Sequence, residues 1–401
     1  MQNTVQDQSP PKNWDRSGLP GWAYFSDELL ELEKEELFRK HWQLACHVSD
    51  VPEPGNYMTF DVGEERALIV RGRDNVVRAF HNLCRHRGSR VVADEQGMCK
   101  SALICPYHGW AYNLDGTLRG AAQPKSFPPL DPVEYGLKPL DMEIWQGFIF
   151  VRFKDSDQPS VAEIMGRFDA ELAPYELADM VPADTLVWAD ETAVNWKAIR
   201  DVDNEGYHVA MAHPALQDLY GKGYVDEPFE GGAARSFAPF NNGPGSLWSV
   251  RAYKSTLPEA EWLPESHRNA WLYYGMFPNT VIGVYPDSMI FYQEFPDGTG
   301  KSRLRGASYK YRNESRELRL ARYLSGRIDR ITAEEDQMLT IWSCEAALSS
   351  AFDGIILSDL EYGVKSYHDQ LRDLFPVLTL EEPPAPGTLA EVNAEMLAER
   401  E

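Results

Sequence analysis

At 401 residues the chain is long for one core, and about 100–200 residues per domain suggests two or three domains. With 43% hydrophobic and 25% charged residues it is globular in composition, neither disordered nor fibrous. Lys plus Arg number 39 against 62 for Asp plus Glu, and the net charge of −23 speaks against nucleic acid, whose phosphates are neutralised by Lys/Arg clusters.

No run approaches the ~18 consecutive apolar residues of a membrane helix. Met1 to Gly18 is polar and proline-containing, without a basic-then-apolar leader, so a cytoplasmic protein with no membrane partner is expected. The cysteines Cys46, Cys84, Cys99, Cys105 and Cys344 are too few and too unevenly placed for a disulfide framework.

In chain order, Ser26 caps an amphipathic helix over 27–42, with Asp27 and Glu28 in its first turn and Arg39, Lys40 and His41 at its end. Between Asn56 and Phe153 the texture turns to short β-rich runs: 57–62, 67–71, 76–82, 102–113 and 147–153, separated by turn residues. This predicts a compact all-β unit. Residues 160–191 mix helix and loop, and 195–220 is helical with an interruption near Pro214. The runs 271–277, 280–285, 288–295 and 303–311 read as an antiparallel meander. A helix is predicted within 313–352, in one piece or broken at Gly326, and the stretch after Leu380 reads as a surface strap or disordered end.

Two short motifs carry metal-ligand chemistry. Cys84-Arg85-His86 and Cys105-Pro106-Tyr107-His108 each offer one thiol and one imidazole from a single loop, eighteen residues apart. Zinc uses these residue types in a tetrahedron; a Rieske [2Fe–2S] cluster puts two Cys on one iron and two His on the other. Zinc fingers pair Cys with Cys and His with His, so the alternation here favours the cluster. Gly88 and Gly109 follow the two histidines and allow backbone near a bulky inorganic core, and Trp110 can shield it. Cys99 has no histidine at ligand spacing and reads as a packed thiol.

The second motif is His208 and His213. Two histidines with one carboxylate make the facial site of oxygen-activating ferrous iron. At ~100° per residue, a five-residue spacing turns the two side chains about 140° apart on a straight helix. They meet on one metal only where the helix bulges or ends, and Pro214 is consistent with that. The carboxylate must come from elsewhere, with Glu334-Glu335-Asp336-Gln337 as the best source.

Together these residues resemble the catalytic (alpha) subunit of Rieske non-haem iron oxygenases, the ring-hydroxylating dioxygenases and demethylating monooxygenases, from Trp42 to about Tyr367. The resemblance implies Cys84, His86, Cys105 and His108 as cluster ligands. It implies His208, His213 and Asp336 as ligands of a mononuclear Fe(II), with Asn195-Trp196-Lys197 leading into the iron helix. It implies an α+β fold, with an all-β Rieske domain inserted in a catalytic domain whose antiparallel sheet is covered by helices. The expected segments are 1–40 (packing on the catalytic domain), 41–158 (Rieske), 159–380 (catalytic) and 381–401 (tail).

Glu205, three residues before His208, stands where the family bridges its two centres, usually with Asp. Glu here resembles oxygenases acting on carnitine- and betaine-type quaternary amines. Asp201 stands where the family often has Asn, and Asp203 lies beside it.

No Gly-x-Gly-x-x-Gly fingerprint is present. The resemblance therefore implies electrons from a separate NAD(P)H-dependent reductase or a ferredoxin, O2 as co-substrate, and a homotrimer. The expected activity is N- or O-demethylation of a small quaternary amine or methylated compound. A ring dioxygenase giving a cis-dihydrodiol and a Rieske-type electron carrier are the alternatives. Trp271, Tyr273, Tyr274, Phe291 and Tyr292 are the aromatic pocket candidates, against a core-filling role.

Overall fold

The computed structural model of the chain describes residues 10–184 and 187–400. Helix α1 (Asp27–Glu33) starts as expected, with Ser26 Oγ accepting from Leu29 N at 3.1 Å. It does not stay α-helical to Trp42: Lys34–Arg39 winds as a wider π-helix, and Gln43 already begins a strand. The contacts divide the chain into two compact units, Lys34–Pro182 and a second that joins the described residues before Lys34 to those after Pro182.

The first unit is built of small antiparallel sheets. Strands β1 (Gln43–His47), β2 (Asn56–Val62), β3 (Glu65–Arg71), β4 (Val77–His81) and β5 (Gln96–Met98) are followed by β6 (Leu103–Ile104), β7 (Ala111–Tyr112) and β8 (Leu118–Gly120). The run 102–113, read from sequence as one strand, is the hairpin β6–β7, with Cys105 to Trp110 as its turn. Strand β9 (Asp141–Trp145) pairs with β10 (Phe148–Arg152), which pairs with β1 on its other side. The unit reaches past residue 158 because α2 (Val161–Met165) and α3 (Asp169–Leu172) are tied to β9. Val161 N donates to Glu143 Oε2 at 2.8 Å, and Trp145 Nε1 donates to Asp169 Oδ1 at 2.8 Å. A short strand, β11 (Val181–Pro182), closes it.

The second unit has one antiparallel sheet in the order β12-β18-β17-β16-β15-β14-β13. These strands are β12 (Val187–Thr192), β13 (Val225–Glu230), β14 (Ala233–Pro239), β15 (Ala270–Met276), β16 (Thr280–Val284), β17 (Met289–Pro296) and β18 (Ser302–Lys310). The last four are the predicted meander. Helices α4 (Trp196–Asp203), α5 (Val209–Ala212), α6 (Pro214–Tyr220) and α7 (Trp248–Thr256) precede the long α8 (Arg316–Ala346), which runs unbroken through Gly326. Then come α9 (Tyr362–Leu374) and α10 (Leu389–Ala398). The C-terminal stretch is therefore a helix rather than a strap: Leu389 and Asn393 are buried, and α10 packs on α1.

The N-terminal segment is fixed to this unit by a buried ion pair. Glu33, fully buried, accepts from Lys197 Nζ at 2.6 Å and from Trp196 Nε1 at 2.8 Å. Removing one member of such a pair strands the other charge away from water. Glu33→Ala is expected to cost about 3–5 kcal/mol in chemical denaturation, the usual cost of breaking a buried pair. A loss below about 1 kcal/mol would match a surface pair instead.

Among the described residues, no helix is long and apolar enough to cross a membrane.

Candidate active site and metal centres

The two Cys/His loops of the first unit are built alike. Gly88 N donates to Cys84 O at 2.9 Å and Gly109 N to Cys105 O at 3.0 Å, each closing a turn whose glycine takes positive φ (+75° and +69°). Both glycines serve that left-handed turn, which L side chains avoid.

Both cysteines are buried in a core shared with Trp110 and Tyr112. The Tyr112 hydroxyl lies 3.2 Å from Cys84 Sγ and accepts from Arg85 N at 2.9 Å. Burial pushes the Cys84 thiol up, Tyr112 opposing it and Cys105, within reach, adding to it. The His86 and His108 rings are 4.6 Å apart, and Trp110 stacks on His86 at 5.2 Å. His86 Nδ1 is buried and has no hydrogen-bond partner, as a ligand nitrogen would. Cys99 is half-buried and packs on the same core, as a plain thiol.

These loops do not fit a single ion. Among the described residues, the one group of three or more His/Cys/Asp/Glu with ligand atoms all within 4.8 Å of one another is His208, His213 and Asp336. A tetrahedral zinc site would draw its four ligands as tightly. The wider quartet suits a two-iron cluster held between two loops.

The second site depends on where helices stop. Asn195 caps α4, its Oδ1 accepting from Lys197 N at 3.0 Å, and α4 ends at Asp203. α5 is a single turn, and His213 leaves the helical region at φ −120°, ψ 81° because Pro214 follows it. Pro214 then opens α6 at its first position, where no N–H is needed. That break brings the two imidazoles together despite their spacing: Nε2 to Nε2 is 3.0 Å. Asp336, from α8, places Oδ1 at 2.8 Å from His213 Nε2 and 3.5 Å from His208 Nε2.

The outer nitrogens are already engaged. His208 Nδ1 lies 2.5 Å from Glu205 Oε1, and His213 Nδ1 lies 2.9 Å from Glu335 Oε2. A carboxylate on Nδ1 keeps the proton there and leaves the Nε2 lone pairs aimed at one point beside Asp336. Burial would pull the His208 imidazolium down, but Asp336 and Glu205 outweigh it and hold it at about 10; Asp336 and Glu335 likewise raise His213. In return the histidines hold Asp336 low against its own burial. Such a pocket seeks a cation, and two imidazoles with one carboxylate are the donor set of a facial iron site. Glu335, which supports His213, was not singled out from the sequence.

A cavity of about 620 Å³ opens on this triad. One face of α8 lines it with Asp329, Thr332, Ala333, Asp336, Gln337 and Thr340, at helical spacing. The facing surface of the sheet adds Tyr273, Tyr285, Ile290, Tyr292 and Leu304, and Tyr220, Tyr224 and Phe229 complete its aromatic wall. Of the five aromatics named from sequence, Tyr273 and Tyr292 line the cavity, whereas Trp271, Tyr274 and Phe291 are buried packing residues outside it. Tyr274 and Phe291 lie one residue away from Tyr273 and Tyr292, so the strand's alternation turns them to the opposite face. Asp203 also lines the cavity, whereas Asp201 does not, and both are tied to other side chains. Asp201 accepts from the Tyr24 hydroxyl and lies 2.7 Å from His368 Nε2, while Asp203 pairs with Arg200 at 3.0 Å and accepts from the Tyr292 hydroxyl at 2.6 Å.

Comparison with known proteins places the chain in a family. The Rieske [2Fe-2S] domain profile matches residues 41–134, and that of the ring hydroxylating alpha subunit (catalytic domain) matches residues 176–376. The chain is 35% identical over 199 residues to the glycine betaine monooxygenase oxygenase subunit of Pseudomonas aeruginosa (strain UCBPP-PA14), 49% of this chain and 45% of the relative. It is 33% identical over 225 residues to the carnitine monooxygenase oxygenase subunit of Escherichia coli (strain K12), 54% of this chain and 59% of that one. The matched region thus spans about half the length of these relatives. In fold, it is similar to the quaternary ammonium Rieske monooxygenase CntA in complex with L-carnitine, with a TM-score of 0.72, 24% identity, and coverage of 88% of this chain and 94% of that one. A naphthalene 1,2-dioxygenase bound to phenanthrene has the same fold, with a TM-score of 0.71, 19% identity and 96% of each chain covered. The cofactors of this architecture are a Rieske [2Fe–2S] cluster and a mononuclear iron. With its catalytic profile covering half its length behind a Rieske domain, the chain belongs to the ring-hydroxylating alpha-subunit family of Rieske oxygenases.

Proposed function

We propose that the protein is the terminal oxygenase component of a Rieske system and N-demethylates a small quaternary amine, with electrons from a separate reductase or ferredoxin. The observation that carries this reading is the cavity beside the triad, walled by tyrosines and phenylalanine and bearing buried acids. Aromatic faces attract a quaternary ammonium, and the lining acids, which outnumber the lining arginines Arg235 and Arg330, favour a cation over a neutral arene. The glycine betaine and carnitine relatives support the same substrate class.

In this reading Cys84, His86, Cys105 and His108 hold the cluster, and His208, His213 and Asp336 hold the iron. When bound, these groups supply stored electrons and dioxygen activation. The chain's own residues position and insulate. Glu205 and Glu335 hold protons on the outer imidazole nitrogens, and the aromatic wall orients the methyl group and excludes water. The net reaction takes one O2, two electrons and two protons, places one oxygen atom on the methyl carbon and releases the other as water. The hydroxymethyl ammonium then breaks its C–N bond to give formaldehyde, a tertiary amine and a proton.

The homotrimer belongs to this proposal. Tyr207 and Met211 are exposed beside His208, and Leu83, Ile104 and Tyr107 are exposed around the cluster loops. Apolar surface at both sites, with Arg85 and Arg87 at the cluster and Glu205 at the iron, suits contact between copies. A CntA structure described as revealing inter-subunit electron transfer supports this arrangement.

The test is turnover of methylammonium compounds and arenes with an added reductase. Formaldehyde formed in step with O2 consumption is the expected result; a cis-dihydrodiol from an unmethylated arene, without formaldehyde, would replace this reading with the dioxygenase one.

A further inference from the structure

The cavity's acids are not equally satisfied. Asp203 has Arg200 and Tyr292. Asp226 accepts from Ser236 Oγ at 2.6 Å and from Tyr224. Glu205 accepts from the Tyr207 and His208 amides and meets His208 Nδ1. Asp287, which sits behind α8 and not in the cavity, has Tyr253 at 2.5 Å, Ser325 at 2.7 Å and Ser288 at 3.2 Å, the full donor set of a structural acid.

Of the remaining cavity acids Glu227 pairs with Arg235 and Glu334 is exposed; Asp329 differs from all of them. It meets one donor, the Tyr285 hydroxyl at 3.2 Å, and among the described residues no cation pairs with it. A carboxylate has about four lone-pair sites to fill. Its side chain is deep in the protein yet retains accessible surface, because it faces the cavity. Burial, with the nearby charge of Asp287 adding and Tyr285 opposing, lifts this carboxyl to about 8, the behaviour of an acid that lacks a cation.

Around it the tyrosines form a chain. The Tyr285 hydroxyl, which gives its proton to Asp329, lies 3.3 Å from the Tyr273 hydroxyl, and the Tyr273 and Tyr220 hydroxyls are 3.1 Å apart. Asp329 lies seven residues before Asp336 on the same face of α8, so their backbone positions are two helical turns, about 10 Å, apart along the helix axis, and both line the cavity. A small ammonium with one methyl at the iron therefore fits between them.

We propose that Asp329, with Tyr220, Tyr273 and Tyr285, receives the cationic head of the substrate and sets the enzyme's preference for a charged over a neutral group. This assignment rests on the quaternary-amine reading and names the residue responsible for it.

The test uses pairs of equal shape that differ in charge: choline against 3,3-dimethylbutan-1-ol, and (3-hydroxypropyl)trimethylammonium against 4,4-dimethylpentan-1-ol. Their binding to the cluster- and iron-loaded enzyme is measured by anaerobic calorimetry. In the unmodified protein the cation of each pair binds more tightly. In Asp329→Asn that preference falls at least about tenfold, with the neutral member's affinity and the iron content unchanged; Asp329→Glu, which keeps the charge, retains a preference. A preference that survives Asp329→Asn, or a loss that is equal for both members, overturns the Asp329 assignment and leaves the substrate reading standing. No preference in the unmodified protein, or no binding of either cation, overturns both.

Discussion

Asp336→Ala yields a protein that still holds its [2Fe–2S] cluster and no longer turns over substrate. The reason is the geometry of the triad: Asp336 Oδ1 is the only carboxylate oxygen within reach of both Nε2 atoms among the described residues. Without it the two imidazoles offer one face of two neutral donors, and neither charge nor third ligand remains to fix a divalent ion. The cluster loops belong to the other compact unit and share no residue with the triad. Turnover is expected to fall more than about 100-fold, beyond the ~10–100-fold that follows loss of an outer hydrogen-bond partner. Glu335→Gln provides that comparison, because Glu335 touches only His213 Nδ1 in this site. The measurements are iron content, the visible spectrum of the cluster and product formation. Iron retained at full stoichiometry in Asp336→Ala, with turnover intact, would remove Asp336 from the ligand set.

How much of this was legible in the sequence follows from how each site is assembled. Cys84 and His86 lie in one loop and Cys105 and His108 in another, so their partnership is written in local spacing. His208 and His213 were visible as a pair, and Pro214 explained how they could converge. Asp336 was harder: it stands in a helix rich in acids, and periodicity alone cannot separate it from Glu334 or Glu335. Only the family resemblance singled it out.

The cavity was the least legible part. Tyr220, Tyr224, Tyr285 and Asp329 come from separate elements, and the choice between Tyr273 and Tyr274 depends on which sheet face carries α8. The extent of α1 was missed for a related reason. Helical periodicity over 27–42 is satisfied about as well by a π-helical turn, and nothing local in 34–39 marks the change. The C-terminal helix was masked by its proline-rich approach, Pro383, Pro384 and Pro386, which lies before the helix and not within it.

Glu205→Ala separates the bridging role that belongs to the proposed function from that of holding the turn before α5. One carboxylate oxygen holds His208 Nδ1; the other accepts from the amides of Tyr207 and His208, at the start of the turn that presents His208. If Glu205 only held the turn before α5, its loss would loosen His208 and lower iron affinity, and saturating Fe(II) would restore the rate. If it also links the iron site to the cluster that feeds it, the rate stays low when both sites are full. Glu205 is only 9% exposed, while Tyr207 and Met211 on the same stretch are exposed. We therefore expect product formation to fall roughly 10–100-fold with iron and cluster contents retained, the scale of losing an outer partner of a metal ligand. Reduction of the cluster by the reductase should be unaffected, while its reoxidation in a single turnover with O2 and substrate slows. Glu205→Gln sharpens the distinction. An amide keeps the size of the side chain, but its NH2 cannot accept from an N–H. It must face either the two backbone amides or His208 Nδ1 with a donor, and in the second case it drives the imidazole proton onto Nε2, where a metal ligand needs a lone pair. Weaker iron binding in Gln than in Ala would identify the carboxylate's charge and acceptor character, and not its bulk, as what the site requires; reoxidation at the unmodified rate in both variants would show that electrons reach the iron by another route.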